Sequence, residues 1–333
     1  MPPTTTTMDH RLDATVYRCA ECGIDGGIGL KSCKACMDVK YCNAECQHKH
    51  CPTHKKQCKQ RAAELSDEAL FKDPPAKEDC PICFLPMPIK LLSCISLSNA
   101  TVTSVPIYDF SIANKELKDK AMDEYYPCCG KSICRGCAYS FAESENDERC
   151  PFCNSDRGKK TAEENIEDIT KRVEVNDAGA IYMLADSYYQ GLNGIQQDQT
   201  KAMELYARAA ELGHSKAHSN LGNIYYMGGD LKKAKFHLEA AAMAGHEVAR
   251  NSLGLIEYNS GNKERAMKYW TIAASAGDLK AMPELRLSFE QGYVNRESIN
   301  STLVAYNNSC AEMRSEARDA VINMMCNDQI GGS

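Results

Sequence analysis

The back half of the chain carries an apolar pattern with the period of an α-helix. Between about residues 177 and 281, apolar side chains recur three or four positions apart, as at Leu221, Ile224, Tyr225 and Leu238. Glycine ends each of these runs. The pattern predicts a series of short helices that are separated by glycine-marked turns.

The helical pattern repeats along the chain. Residues 209–214 (AAELGH) return 32 positions later at 241–246 (AAMAGH), and again after the same interval at 273–278 (AASAGD). A longer turn at residues 191–200 lengthens the first unit. One helix pair cannot bury its apolar face alone, whereas stacked pairs can. The repeat therefore predicts an α-solenoid.

The repeated phrase is Leu-Gly-x3-Tyr, a glycine turn, Lys-Ala, and then Ala-Ala-x-x-Gly-His, and it resembles the SEL-like relatives of the tetratricopeptide repeat. We expect three units over residues 177–281 and a degenerate fourth unit that merges into a cap near Met325. The resemblance implies a surface that holds partner proteins. His214 and His246 recur at the repeat interval, so we interpret them as structural residues and not as metal ligands.

Cysteine divides the chain into two parts. Seventeen of the nineteen cysteines fall between Cys19 and Cys153, and none occurs from residue 154 to residue 309. Most of them form pairs separated by two or three residues, which suits tetrahedral zinc. No apolar leader follows Met1, so we expect no export, and a disulfide framework is disfavoured. The alternative interpretation of these cysteines is that they bind an iron–sulfur cluster, which would make the purified protein visibly coloured.

The first cluster offers eight ligands, enough for two closed zinc sites. It resembles a MYND finger in Tyr41-Cys42, Cys46-Gln47 and His54-Lys55. The resemblance implies a module that docks short proline-containing peptides, with Gln47 in the groove, although Cys51 stands where the family usually has Trp. It also implies one ion held by Cys19, Cys22, Cys42 and Cys46, and another held by Cys33, Cys36, His54 and Cys58.

His50 is the rival of His54 as a ligand, but its spacing to Cys58 is too long for the pair. We therefore assign His54 to the second zinc site. His48, His50 and Cys51 are interpreted as exposed helix residues.

The second cluster is bracketed by Cys80-Pro81-Ile82-Cys83 and Cys150-Pro151-Phe152-Cys153, and it resembles an all-cysteine RING finger. Lys131 occupies the position where common RING fingers have His, and Lys is a poor ligand. Cys128 is the substitute that we predict. The resemblance implies one ion held by Cys80, Cys83, Cys134 and Cys137, and another held by Cys128, Cys129, Cys150 and Cys153.

A RING-like finger implies recruitment of a ubiquitin-conjugating enzyme, through Ile82 and Pro151 and with Asn154 at the position just after the last cysteine. The zinc ions, four per chain, are structural, and no side chain of the finger is expected to perform acid–base catalysis. The chain is then a possible ubiquitin transferase whose repeats hold the substrate. The alternative is a non-enzymatic scaffold or a transcription-related adaptor. No residues resemble the catalytic domain of the methyltransferases that carry MYND fingers.

Charge and hydropathy narrow the partners to proteins. The formal net charge is −6, but residues 1–160 carry equal numbers of basic and acidic side chains. Zinc-bound thiolates would make the loaded fingers acidic. Binding of nucleic acid is disfavoured, because it needs basic side chains against phosphates. The sequence has no run of 18 apolar residues, so we expect no membrane span. We expect the protein in the cytoplasm or nucleus and not secreted.

The predicted fold class is mostly α, with two small zinc-stabilised cross-brace fingers followed by an α-solenoid of helix-turn-helix repeats. Small modules of this kind bury too little apolar surface to fold alone, so zinc supplies much of their stability. The predicted organisation is 1–15 disordered, 16–60 MYND-type finger, 61–79 helix and linker, 80–154 RING-like finger with a long internal loop at 84–127, 155–176 linker helix, 177–326 repeats with a cap, and 327–333 tail.

Overall fold

The computed structural model describes residues 18–24, 29–87, 123–144, 148–158, 160–321 and 324. The predicted disordered start of the chain, most of the predicted loop 84–127, Cys326 and the tail lie outside the described residues. The chain divides into two compact units, Met1–Lys72 and Asp73–Ser333, and each is described by itself.

The first unit is a small finger joined to one long helix. Strand β1 (Lys31–Ser32) pairs antiparallel with β2 (Lys40–Tyr41), and helix α1 runs over Ala44–Leu70. The side chain of Asn43 caps α1, since its Oδ1 accepts a hydrogen bond from the backbone N–H of Cys46 at 2.8 Å. The helix that the sequence predicts within residues 61–79 is therefore the end of a helix that begins inside the finger.

The second unit begins with the second cysteine cluster, which keeps here the name RING-like finger that the sequence prediction gave it. Strand β3 (Asp123–Tyr126) pairs antiparallel with β4 (Lys131–Cys134), and helix α2 (Arg135–Ala142) follows directly. Residues 123–126, at the end of the predicted loop 84–127, are thus strand. Tyr126 and Ile133 are buried among the cysteines of the finger and form the small apolar core that the hairpin carries.

The rest of the second unit is helical, as predicted. Thr161 and Glu164 form a capping box at the start of α3, in which each side chain bonds the other residue's backbone N–H. The helices are α3 (Ala162–Glu174), α4 (Ala178–Gln190), α5 (Gln199–Glu211), α6 (Ser215–Met227), α7 (Leu231–Met243), α8 (Glu247–Asn259), α9 (Lys263–Ser275), α10 (Ala281–Glu290) and α11 (Arg296–Glu312).

Helices α4 and α5, α6 and α7, and α8 and α9 pack as successive pairs, and α10 and α11 both pack mainly against α9. Buried residues of α4 and α5 form one core, and buried residues of α9, α10 and α11 form another. The expected degenerate fourth unit falls on α10 and α11, and its assignment as a repeat stays a prediction. Cys310 of α11 is fully buried in the core that these helices share with α9. No helix of the described ranges is both long enough and apolar enough to cross a bilayer.

The two repeat histidines cap helices. His214 Nδ1 accepts a hydrogen bond from the backbone N–H of Ala217, and His246 Nδ1 accepts one from Ala249, both at 3.3 Å. The preceding glycines, at φ 87° for Gly213, turn the chain out of the previous helix. The recurrence of these histidines therefore comes from helix capping.

Small residues allow close approach within each helix pair. A Cβ atom added to Gly254 of α8 would lie 2.3 Å from Nε1 of Trp270 on α9. We expect Gly254→Ala to destabilise the unit by about 1–3 kcal/mol, because the indole must leave its position. Urea unfolding followed by circular dichroism measures this, with Leu255→Ala on the exposed side of α8 as the control. Equal stability of the two variants would contradict the packing described here.

The RING-like finger packs on the solenoid within the second unit. Lys216 Nζ, at the start of α6, donates to Asp123 Oδ2 of β3 at 2.7 Å. Tyr125 packs against the core of α4 and α5. On the N-terminal side of the finger, Lys77 Nζ donates to the carbonyl oxygen of Ala276 at 2.7 Å. The finger and the repeats are joined by polar and apolar contacts on both sides of the first cysteine pair.

Candidate metal centres

Four cysteine pairs share one backbone turn. In each, the residue after the second cysteine has a left-handed φ and donates its N–H to the carbonyl oxygen of the first cysteine, at 2.8 or 2.9 Å. These residues are Gly23 (71°), Met37 (59°), Phe84 (55°) and Asn154 (57°). The left-handed conformation costs a non-glycine residue about 1–2 kcal/mol. The turn brings two thiols to one side of the chain, which is the arrangement that a metal ion stabilises.

The first group of the MYND-like finger fits a tetrahedral ion. Sγ of Cys22 lies 3.7 Å from Sγ of Cys42, which lies 3.5 Å from Sγ of Cys46. Cys19 completes the group, with every pair of ligand atoms within 4.8 Å. Zinc–sulfur bonds of about 2.3 Å at tetrahedral angles separate sulfurs by about 3.8 Å. A disulfide needs about 2.05 Å, so these spacings fit shared coordination and not cross-linking.

The second group of this finger has three sulfurs and one nitrogen. Sγ of Cys36 lies 3.1 Å from Nε2 of His54, and Sγ of Cys33 lies 3.7 Å from Sγ of Cys58. His54 is buried, which is unusual for a polar side chain on a surface helix. This donor set fits zinc held by three thiolates and one imidazole.

His50 lies beside this group but outside it. Its Nδ1 is 2.9 Å from the hydroxyl of Tyr41, and its ring stacks on that of His54 with centroids 5.5 Å apart. His50 is half-buried as a result, so its interpretation as an exposed residue is wrong. The hydrogen bond with the hydroxyl of Tyr41, a buried residue, keeps the ring of His50 against the finger. His48 and Cys51 are exposed as predicted, and so is Gln47.

The first group of the RING-like finger joins the turn at Cys80 and Cys83 to the end of β4 and the start of α2. Sγ of Cys83 lies 3.8 Å from Sγ of Cys134, and Cys80 and Cys137 complete the group. The N–H of Cys134 points at Cys80 Sγ, and the N–H of Cys137 points at Cys134 Sγ, both at 3.4 Å. These backbone N–H groups stabilise the thiolate forms of Cys80 and Cys134, which burial would otherwise disfavour. Cys134 is therefore both a candidate ligand and the N-cap of α2.

The second group contains the adjacent pair Cys128 and Cys129. Sγ of Cys129 lies 3.8 Å from Sγ of Cys150, and Cys128 and Cys153 complete the group. Gly130, at φ 73°, closes a turn by donating its N–H to the carbonyl oxygen of Tyr126 at 2.8 Å. This turn lets two neighbouring side chains reach one centre. Lys131 stands outside the group, with Nζ over the ring of Phe152 at 4.8 Å.

The ligand pairs interleave in both fingers. The first pair shares a centre with the third, and the second pair with the fourth. The four groups are Cys19, Cys22, Cys42 and Cys46; Cys33, Cys36, His54 and Cys58; Cys80, Cys83, Cys134 and Cys137; and Cys128, Cys129, Cys150 and Cys153. The structure thus brings together the residues of each ligand set that the sequence predicts, and their binding of metal stays a prediction. All four are closed, so the metal they fit is structural.

The thiols within one group differ in acidity. Hydrogen bonds from the backbone N–H groups of Cys22 and Cys42 lower the pKa of Cys19 to about 6. The hydrogen bond with Cys42, together with burial, raises the pKa of Cys46 to about 12. Ser155 lowers the pKa of Cys153 to about 6. A divalent ion binds the deprotonated thiols, so metal binding releases protons. The affinity of each group for metal therefore decreases as the pH falls.

The residues proposed to contact a partner lie at the surface of the RING-like finger. Ile82, between the first two cysteines, is 39% exposed, and Phe84 is exposed beside it. Pro151 is half-buried and Asn154 is exposed. The carbonyl oxygen of Asn154 accepts a hydrogen bond from Nη1 of Arg149 at 3.2 Å. Asn is among the few residues that tolerate a left-handed φ, which gives Asn154 a structural role as well.

Arg318 is a residue that the sequence pattern did not indicate. Its guanidinium lies 3.4 Å from Sγ of Cys83, across 235 positions of sequence. No spacing or period marks such a contact. The left-handed residues after the second cysteine of each of the four turns were also missed, although the glycine at position 23 is a signal of one of them.

Comparison with known families identifies two of the three modules. The model of the MYND finger matches residues 17–58. The model of the Sel1 repeat matches residues 178–214, 215–246 and 251–278. Both modules were predicted from the sequence, and both predictions are confirmed. A MYND finger together with Sel1 repeats suggests a protein–protein interaction adaptor.

One curated protein is similar to a short segment of this chain. A curated relative, the uncharacterized protein NMB1327 of Neisseria meningitidis serogroup B, is 45% identical over 51 residues, which are 15% of this chain and 11% of that protein. The chain thus spans about a tenth of the length of this relative. Its match therefore concerns one segment and not a shared activity.

Three solved structures resemble the helical part. The Sel1 repeat protein of Oxalobacter formigenes is 26% identical with a TM-score of 0.40, over 47% of this chain and 66% of that one. The antigen c5321 of uropathogenic Escherichia coli, with an SLR fold, is 22% identical with a TM-score of 0.38, over 52% and 42%. The immunity protein Pa5087 of Pseudomonas aeruginosa is 18% identical with a TM-score of 0.30, over 52% and 80%.

Proposed function

We propose that this chain is a zinc-stabilised adaptor and that its second finger is a RING-type finger that recruits a ubiquitin-conjugating enzyme. The interleaving of the four cysteine pairs between Cys80 and Cys153 is the observation that carries the proposal. That order of ligands along the chain is the one that a cross-brace RING finger requires. The exposed apolar side chains of Ile82 and Phe84 on the first turn support it.

The proposed ligase works by holding two proteins together. Four zinc ions, one in each closed group, would fix the shape of the two fingers and take no part in a chemical step. Ile82 and Pro151 form the apolar contact with the conjugating enzyme. The repeats hold the protein to be modified and so raise the effective concentration of its lysines near the activated ubiquitin.

The repeats have apolar side chains available for such a partner. Phe236 and Met243 of α7 are exposed, and so are Met227 and Leu231 at the turn before it. Exposed apolar groups that fall together mark interaction surfaces more often than single ones do. This supports the second Sel1 unit as part of the surface that binds the substrate.

A non-enzymatic scaffold is the second candidate function, and one observation favours it. The position after the last cysteine is a neutral residue, Asn154, whose left-handed φ of 57° accounts for its presence without any role in ubiquitin transfer. A neutral amide also bonds more weakly than a guanidinium. In this reading both fingers bind partners and no ubiquitin is transferred.

Ile82→Ala separates the two functions. Loss of a well-placed apolar anchor at an interface costs about 2 kcal/mol or more, so we expect ubiquitin chain formation to fall by about thirtyfold. The assay contains the purified chain, ubiquitin, activating enzyme, ATP and a panel of conjugating enzymes. Zinc content is measured on every variant, because the change must leave the finger loaded.

Ile24→Ala is the matched control. Ile24 is 60% exposed and follows the first cysteine pair of the MYND finger, so it tests the loss of an exposed isoleucine near a zinc turn. We expect its activity to equal that of the unmodified chain. Zinc-loaded protein that forms no ubiquitin chains with any conjugating enzyme would refute the ligase and leave the scaffold.

A further inference from the structure

One arginine is completely buried against the RING-like finger. Arg318 is 0% exposed and lies in the short helical segment that follows α11. Its Nη1 donates to the carbonyl oxygens of Met313 at 2.6 Å and Pro86 at 2.8 Å. Its Nη2 donates to the carbonyl oxygen of Leu85 at 3.3 Å and to Sγ of Cys83 at 3.4 Å. Within the described part of the chain, no carboxylate is among these partners.

A buried guanidinium without a carboxylate needs another negative charge nearby. Removing a cation from water is expensive unless an opposite charge compensates for it. A zinc ion held by four thiolates has a net charge of about −2. The group of Cys80, Cys83, Cys134 and Cys137 is such a centre, and Arg318 bonds one of its sulfurs directly. The arginine and the loaded centre therefore compensate each other.

The backbone at Arg318 packs against the second ligand pair of the same group, Cys134 and Cys137. Gly136 lies between Cys134 and Cys137, and a Cβ added there would come within 2.7 Å of the backbone nitrogen of Arg318. Met313 and Val321, on either side of Arg318, are also buried. The segment of residues 313–321 is therefore docked on both halves of one metal group. In the group that contains Cys128 and Cys153, the sulfur of Cys153 contacts the hydroxyl of Ser155 and not an arginine.

We propose that Arg318 is the outer-sphere cation of the metal centre formed by Cys80, Cys83, Cys134 and Cys137, and that metal binding there is linked to docking of residues 313–321. Linkage is reciprocal, so the metal stabilises the docked segment as much as the segment stabilises the metal. Through this contact the end of the solenoid controls how firmly the RING-like finger keeps one of its ions. The inference rests on zinc occupancy of this centre and does not depend on ligase activity.

The test compares metal release from the two centres of one finger. Full-length zinc-loaded protein is mixed with excess chelator and N-ethylmaleimide, and mass spectrometry follows alkylation of Cys83 and Cys153 separately. Changes in outer-sphere partners alter metal affinity roughly 10–100-fold. We expect Arg318→Met, which removes the charge and the donors, to speed alkylation of Cys83 about tenfold or more and to leave Cys153 unchanged.

Two variants show whether charge is responsible. Arg318→Lys keeps the charge but has fewer donors, and we expect a rate between those of Arg318→Met and the unmodified chain. Arg314→Met is the matched control, since Arg314 is a partly exposed arginine of the same segment that pairs with Asp319 at 3.0 Å. Its rate should equal that of the unmodified chain. A Cys83 rate in Arg318→Met within twofold of the unmodified chain would overturn the proposal.

A second measurement needs no variant and decides the matter if Arg318→Met does not fold. Hydrogen exchange is followed in the unmodified protein with zinc and after its removal. We expect residues 313–321 to lose protection on removal of zinc, whereas α8 and α9 keep theirs. Unchanged protection of residues 313–321 would refute the linkage. Absence of zinc from the Cys80 group before treatment would instead refute the metal centre itself, which separates the two failures.

Discussion

We expect replacement of His54 by alanine to lower the zinc content by one ion per chain and to unfold the part of the MYND finger that is held by Cys33, Cys36 and Cys58. His54 is 6% exposed, and its Nε2 lies 3.1 Å from Cys36 Sγ within the group that contains Cys33 and Cys58. Loss of a ligand weakens the site by roughly a hundredfold or more, since outer-sphere changes already cost 10–100-fold. Because metal binding and folding are coupled in such small modules, the affected part of the finger loses its structure with the ion.

Metal analysis of the purified variant by mass spectrometry measures this effect. We expect four zinc ions in the unmodified chain and three in His54→Ala. The control is His50→Ala, four residues earlier on the same helix, whose ring bonds the Tyr41 hydroxyl at 2.9 Å and stands outside the group. This variant should retain four ions. If His50→Ala loses an ion and His54→Ala does not, the assignment of the nitrogen ligand is wrong.

Trp270→Ala has the largest expected effect on the stability of the repeats. Trp270 is 1% exposed and belongs to the core that α9 shares with α10 and α11, near Leu285 and Tyr306. Its Nε1 also donates to the carbonyl oxygen of Asn251 at 3.3 Å. Truncating a buried aromatic ring to alanine costs about 3–5 kcal/mol, through lost burial and the cavity that remains.

Chemical unfolding followed by circular dichroism tests this expectation, because Trp270 is the single tryptophan of the chain and its fluorescence disappears with it. Phe236→Ala is the control. This ring on α7 is 65% exposed, so its removal should change stability by less than about 0.5 kcal/mol. A Trp270→Ala variant as stable as Phe236→Ala would show that the packing of α10 and α11 on α9 does not depend on this ring.

The metal groups show which ligands can be predicted from the spacing of cysteine and histidine in the sequence. Cysteine pairs such as Cys19-x2-Cys22 can be read directly, because two residues between thiols form one tight turn around one ion. The choice of His54 over His50 also followed from spacing. The burial of His50 did not, since it depends on the hydroxyl of Tyr41, which reaches it across the finger.

The adjacent pair Cys128 and Cys129 gave a different difficulty. Neighbouring side chains are not expected to reach one centre, and the sequence alone offered only the shortage of other ligands as a reason for them. The turn from Tyr126 to Gly130 supplies the physical explanation, because a left-handed glycine bends the strand end back on itself. The strand β3 that leads into this turn lay inside the segment that was predicted as a loop.

The repeats were readable because their signal is periodic. A contact that recurs every 32 residues leaves the same letters at the same interval, so the helix pairs and the positions of Gly213 and His214 could be found without a structure. The reason for the histidine, which caps the next helix through Nδ1, required the geometry of the turn. The recurrence of a residue at the repeat interval thus indicates that its role is structural, but the folded structure is needed to show what that role is.

The sequence by itself determined the modules of this protein, namely the cysteine and histidine pairs that fit metal, the helical repeat and their order along the chain. These features depend on spacings of a few residues or on a period, and both are visible in one dimension. The tertiary structure alone decided that the RING-like finger packs on the solenoid and that Arg318 lies against Cys83. Such a contact joins segments 235 positions apart. It has no period, and only the folded chain brings the buried charge to the thiols that compensate for it.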